Sequence, residues 1–301
     1  MATAAPTSGT LTARPGFLAG LRRSVAVATA RNRRFWFSLS LIALLLAFSL
    51  LGPSIFDKSD PMKLVGGLYD KPSAKAWLGT DNFGRDIFTQ LMFGTRTSLT
   101  IGTIAGAVAI LIGVTIGLLA GYHGGRIEEG LMAFTNVVIT IPSIVILILL
   151  SIAVSNRSIV TMGLIIGVTS WPWTARAVRA QASSLRTREH VDVARISGAG
   201  AVSLILREIL PYMLSYIVMA FVLQLSSGVL QEAALAMLGL GPSNVVSLGI
   251  MLHWALLWES VRTGAWWAFV PPTVLLTLIA FSLLLLQSSA DEIFNPRLRR
   301  R

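Results

Sequence analysis

Seven stretches of this 301-residue chain run without a single Asp, Glu, Lys or Arg: 35–56, 97–125, 130–156, 158–175, 209–231, 233–258 and 263–290. A helix needs about 20 apolar residues to cross the hydrocarbon of a bilayer. All seven windows reach or approach that length, so the chain reads as an all-α polytopic membrane protein. With 54% hydrophobic and 13% charged residues, it could not cover itself with the polar surface a soluble fold requires.

The window 233–258 differs from the others. Gly239, Gly241, Pro242, Ser243, Asn244, Ser247, Gly249 and His253 interrupt it with turn-formers and polar groups. Lipid leaves a broken backbone unsatisfied unless protein or a cavity surrounds it. We therefore expect a helix, a turn and a half-helix that returns to the outer surface, with a true span as the alternative. Six spans remain.

Charge bias agrees with an even number. Arg14, Arg22, Arg23, Arg31, Arg33 and Arg34 precede the first window, and Arg297, Arg299, Arg300 and Arg301 close the chain. Basic clusters of this kind favour the cytoplasmic side. Six spans with both termini inside put 17 of the 25 Lys and Arg on the inner face. The net charge of +11 then reflects contact with anionic headgroups, with no basic soluble domain that would address nucleic acid.

The organisation expected is a cytoplasmic tail and inner-leaflet helix over 1–34, a first span and outer segment over 35–96, a core over 97–290 and a basic tail over 291–301. The first apolar run follows positive charge, as in a signal peptide. It continues into Leu51-Gly52-Pro53 without a small-residue cleavage site, which favours an uncleaved anchor.

The chain carries no recognisable energy-coupling machinery of its own. The phosphate-binding GxxxxGK[ST] loop needs a lysine, and the last lysine here is Lys75. The six spans hold no Asp, Glu, Lys or Arg, and their one histidine is His123. Cysteine is absent. His123, His190 and His253 fall on opposite faces, so no metal site is expected. No catalytic arrangement of side chains stands out, and the chain does not read as an enzyme.

Any uphill process would therefore draw its energy from a partner, unless the protein is a passive channel, and the longest inner loop, 176–208, is the natural port. A short helix around 189–197 would show charge on one side and Val191, Ala194 and Ile196 on the other. Gly198, Ala199 and Gly200 would then end it. Laid along this loop, Asp192, Val193, Ala194, Gly198 and Leu210-Pro211 resemble the loop by which membrane subunits of ATP-binding-cassette importers grip their ATPases. That pattern is Glu-Ala-Ala, three residues, Gly, nine residues, Ile-x-Leu-Pro. Val193 and Glu208 depart from it.

A second stretch, WLGTDNFGRD, resembles a GTDxxGRD signature of the dipeptide/oligopeptide/nickel permeases through Trp77, Gly79, Thr80, Asp81, Gly84, Arg85 and Asp86. Read on its residues alone it is a polar helix start, with Thr80 or Asp81 as a cap. AGYHGG, the Ile-Pro-Ser at 141–143 and QEAALAMLGLGP at 231–242 follow in that family's order. The resemblance covers about 220 residues.

It implies a type I importer permease fold and the permease half of an ATP-driven, binding-protein-dependent importer for peptides or for oligosaccharide, nickel or opine. It further implies a sister permease subunit in a heterodimer, two ATPase subunits carrying ATP and Mg, a periplasmic or extracellular solute-binding protein, and a bacterial or archaeal cytoplasmic membrane. No cofactor is implied in this chain. The ATPase-coupling residues would be Glu189, Asp192, Ala194, Arg195, Gly198, Gly200 and Pro211. Contact with the binding protein would fall on Asp81, Arg85, Asp86, Pro242, Trp254 and Trp258. A membrane scaffold or passive pore is the competing class.

For the translocation path the candidates are Trp171, Trp173, Gln224, Ser227, Gln231 and Glu232, the last just beyond the fifth window. Residues 224, 227 and 231 share one helical face, which either lines a wet path or bonds neighbouring helices. Gly102, Gly106, Gly113, Gly117 and Gly121 form a small-residue stripe suited to close helix packing. Trp258, Trp266 and Trp267 read as an outer interfacial belt.

Overall fold

The computed structural model describes residues 32–294, so the expected inner-leaflet helix and most of the basic tail lie outside the described residues. Most of the described residues are helical, the 57–86 segment being the main exception. Helix α1 spans Arg33–Ile55, its first turn capped by Asn32, whose side chain accepts from the backbone N–H groups of Arg34 and Phe35. Helix α2 spans Ile87–His123, α3 Gly125–Thr140, α4 Ser143–Ala153 and α5 Ile159–Arg186. Helices α6 (Glu189–Ile196), α7 (Leu210–Met237), α8 (Leu248–Leu257) and α9 (Trp266–Phe294) complete the order.

By length and composition four helical stretches among the described residues can cross a membrane, or five if the bent pair α3–α4 counts as one span. The third window was expected to be continuous. It instead bends by 80° between α3 and α4, because Pro142 biases Ile141 towards extended backbone and Ile141 sits at ψ 124°. Helix α5 combines an apolar half with an arginine-bearing half, so Arg176, Arg179 and Arg186 of the expected loop are helical.

Glycine decides how the central helices meet. A Cβ at Gly113 would stand 2.6 Å from Thr174 Cβ, at Gly117 2.7 Å from the Ala175 carbonyl oxygen, and at Gly121 2.7 Å from Ala182 Cβ. Reciprocally, one at Gly163 or Gly167 of α5 would stand 2.6 Å from Ile104 or Val108 of α2. Numbers rise together, so α2 and α5 run in the same direction. Gly102 meets Val229 and Gly106 meets Leu225, so α7 runs opposite to α2. These contacts need no hydrophobic driving force, only close backbone approach.

At one end of the bundle, residues 57–86 fold over the start of α2. Thr80 donates its hydroxyl to the Gly67 carbonyl (2.7 Å) and accepts from Asp70 N–H (2.7 Å). Val65 N–H donates to Gly84 O at 2.9 Å. Gly84 holds φ +84°, and a Cβ there would sit 2.4 Å from the Gly66 carbonyl oxygen. Trp267 is buried against this segment and donates its indole N–H to Thr80 O. It is therefore not part of an interfacial belt, whereas Trp258 and Trp266 are about half exposed.

At the other end of α2, Leu118 joins Val178, Val191, Leu204, Ile209 and Met213 in a second core. The 37 residues of α2 separate the two ends by about 55 Å. Leu204–Ile209 is wound as a π-helix directly before α7. The cause is Pro211, which has no N–H and whose ring would collide with the carbonyl four residues back; the wider turn moves that carbonyl aside.

Candidate functional site

The bend between α3 and α4 opens a cavity of about 450 Å³ against α5 and α7. Its apolar wall includes Ile141, Pro142 and Ile146, and its polar wall Ser170, Gln224, Ser227 and Gln231, with Trp173 alongside. Gln224 donates to the Ser170 carbonyl (3.0 Å) and to Thr174 Oγ1 (2.8 Å). Gln231 donates to Ser227 Oγ at 2.8 Å and to Ser170 Oγ at 3.3 Å. The two readings of the 224/227/231 face thus coincide, since the amides both bond α5 and line the cavity.

Two residues expected in this path lie elsewhere. Trp171 is buried on the opposite side of α5 and stacks on Phe134 with ring centroids 5.9 Å apart. Glu232 is not beyond its helix but inside α7, which runs on to Met237, and it is fully buried. Its carboxylate accepts from Ser98 Oγ (2.8 Å) and Ser247 Oγ (2.6 Å). Residues 232 and 231 face roughly 100° apart on a helix, so one points into the cavity and the other into the core.

The end of the bundle that carries α6 presents a different surface. Val191 is wholly buried in the second core, and His190 donates its Nε2–H to Glu208 O at 3.2 Å. Ile196 does not share that buried face. It is 87% exposed and Val193 64% exposed, because eight residues with Val191 turned inward leave positions 193 and 196 together on the outer side. Asp192 and Arg195 pair at 2.6 Å beside them. Ala199 N–H closes the helix on Ala194 O at 3.1 Å.

Gly198 ends α6 at φ +85°, and no atom lies within 4 Å of where its Cβ would be. Left-handed backbone, not close approach, is what requires glycine there. Gly200 has neither demand, with φ −71° and open space around it. Arg179 pairs with Glu128 of α3, and Arg186 donates to Tyr122 O at 3.1 Å.

At the opposite end a cavity of about 360 Å³ is lined by Arg85, Pro242 and Trp254 together with Arg157 and His253. Asp81 and Asp86 were expected to face a partner, but both are buried and spent internally. Asp81 accepts from the N–H groups of Phe83 and Arg85 and from Gln90 Nε2. Asp86 is the N-cap of α2, the role first assigned to Thr80 or Asp81, and it pairs with Lys58 at 3.0 Å. Trp258 remains outside, its ring 6.3 Å from that of Phe83.

The sequence pattern of the binding-protein-dependent transport system inner membrane components matches residues 113–300, which takes in the cavity, α6 and the turn after α7. The chain belongs to this family. As a binding-protein-dependent transport inner membrane component it is a multi-pass membrane permease with the all-helical type I importer permease fold. It is 30% identical to the dipeptide transport system permease protein DppC of Bacillus subtilis (strain 168) over 90% of this chain and 84% of that protein.

Against the oligopeptide transport system permease protein OppC of the same organism the identity is 30%, over 89% of this chain and 87% of that protein. Against the glutathione transport system permease protein GsiD of Pectobacterium atrosepticum it is 32%, over 77% and 76%. The alignment to DppC spans 271 residues and so necessarily includes the 57–86 segment that the family pattern leaves out.

Three features of this inner membrane component were not read from its sequence. Ser98 and Ser247, which hold Glu232, lie 149 positions apart, and no spacing rule links them. Arg157 sits alone between two apolar windows. Ile141 and Pro142 were noted only as part of a motif, although a proline inside an apolar window is a recognised signal for a bend.

Proposed function

We propose that this chain is one of two membrane subunits of an ATP-driven importer for di- or oligopeptides, paired with a sister permease, two ATPase subunits and an external solute-binding protein. The observation that carries the reading is the continuity of likeness to permeases named for dipeptides, oligopeptides and glutathione over most of this chain. The shared direction of α2 and α5 and the opposite run of α7 fit six passes, and the arginine clusters at both ends of the chain favour both termini in the cytoplasm of a bacterial or archaeal cell. On that topology α6 is cytoplasmic.

The exposed pair Val193 and Ile196, flanked by the Asp192–Arg195 ion pair, is the docking face for an ATPase groove. Glu189, Ala194, Gly198, Gly200 and Pro211 shape that face without all touching the partner. ATP and Mg belong to the ATPase. The cavity lined by Trp173, Gln224, Ser227 and Gln231 is this subunit's half of the path. Its hydroxyls and amides offer donors and acceptors to a peptide backbone without a charge that would trap it.

The test is reconstitution in proteoliposomes with the sister permease, the ATPases and the binding protein. ATP-dependent uptake of a dipeptide or oligopeptide is expected, and it should be lost when the sister subunit or the binding protein is omitted. Uptake of an oligosaccharide or nickel instead would move the solute class, and no ATP-dependent uptake would overturn the importer reading.

A further inference from the structure

The cavity beside the 57–86 segment contains a charge that the fold does not use. Arg157, in the turn between α4 and α5, has its backbone carbonyl fixed by Ser243 N–H at 2.8 Å. Its side chain makes no ion pair or hydrogen bond among the described residues, and its Nε is buried without an acceptor. A buried guanidinium N–H left unmatched is costly and uncommon.

Arg85 lines the same cavity. It is partly committed, with Nε 3.3 Å from Asp81 Oδ2, Nη1 donating to Met62 Sδ at 2.7 Å and its guanidinium carbon 4.1 Å from the Phe83 ring centroid. No acidic side chain is among the cavity's lining residues. Gln90 is turned onto Asp81. His253 sits with Nδ1 3.0 Å from Met237 O, and since a carbonyl only accepts, Nδ1 carries the proton. Trp254 supplies an aromatic wall. Two guanidinium groups, one without any partner among the described residues, line a half-open cavity whose wall holds no acidic side chain.

We propose that this cavity is a carboxylate site in which Arg157 is the principal ligand and Arg85 the second. Planar guanidinium donors match a carboxylate's two oxygens, and partial exclusion of water strengthens the pairing. The carboxylate can come from an acidic side chain of a docking binding protein or from the free C-terminus of a peptide solute; the chemistry is the same.

The decisive comparison uses the full-length chain in lipid nanodiscs, titrated with N-acetylglycine and with N-acetylglycinamide, which differ only in their single carboxylate, and followed by ligand-observed NMR. The acid should bind at least about tenfold more tightly than the amide, the scale of one charge-assisted hydrogen bond. That preference should vanish in Arg157→Gln and survive in part in Arg157→Lys, with both variants eluting as the wild type does on size exclusion. Equal binding of acid and amide to the wild type, or an unchanged preference in Arg157→Gln, would overturn the proposal.

The source is separated in the assembled importer, an arm that rests on the importer reading. A fall of about tenfold in binding-protein capture by Arg157→Gln assigns the carboxylate to that protein. Unchanged capture, with slower uptake of a free-acid peptide but not of its C-terminal amide, assigns it to the solute. A wild-type importer without uptake would count against the importer reading and leave the acid–amide comparison standing.

Discussion

Ser247 donates its hydroxyl to Glu232 at 2.6 Å and with the same oxygen caps α8 by accepting from Ile250 N–H. One residue thus ties the turn after α7 back to α7 itself. Ser98 of α2 completes the arrangement, donating to the other carboxylate oxygen and accepting from Leu248 N–H at 3.2 Å. Three helices meet on one buried carboxylate.

Removing that acceptor strands two hydroxyls. Glu232→Ala should lower the stability of the purified chain by about 1–3 kcal/mol, read as a lower melting temperature in nanodiscs. Glu232→Gln keeps the volume and still bonds both serines once their hydroxyls rotate, so it should cost much less. Equal losses from the two variants would mean that packing alone sets the effect.

The glycine contacts between α2 and α5 make a paired prediction. Gly117→Ala places a methyl 2.7 Å from the Ala175 carbonyl oxygen and should destabilise the bundle and reduce uptake. Gly130→Ala has nothing within 4 Å and should stabilise α3 by about 0.5–1 kcal/mol. Thermal unfolding of the two single variants checks the contrast.

At the end of α6 the two glycines separate by backbone conformation. Gly198→Ala forces an L-residue to φ +85°, at a cost of about 1–2 kcal/mol, and should weaken ATPase co-purification. Gly200→Ala should leave it unchanged. Because a Cβ at position 198 would meet no atom within 4 Å, Gly198→Asn, which tolerates left-handed backbone, should restore much of the loss.

Topology can be read by single-cysteine labelling, since the chain contains no cysteine of its own. Ser243→Cys should react with an impermeant thiol reagent added to intact cells. Ile196→Cys, at the other end of the bundle, should react only after permeabilisation. The reverse pattern would place both termini outside.

The side-chain alphabet alone determined the class of this protein. Long uncharged runs can only be buried in lipid or in a very large core, and arginine at both ends argues for their direction, so neither inference needs a contact. The glycine stripe of α2 was legible because helical periodicity assigns residues to faces locally. What periodicity cannot do is say which face meets which neighbour. Val191 and Ile196 are both apolar within eight residues, yet only packing against Leu204 and Ile209 decided that the first is core and the second surface. Glu232 reads as the polar end of a span until two serines far apart in the chain supply its hydrogen bonds. Arg157 reads as one charge in a loop until the fold sets it beside Arg85, 72 positions earlier. Burial of a charge depends on partners brought from distant positions, and that information exists only in the tertiary structure.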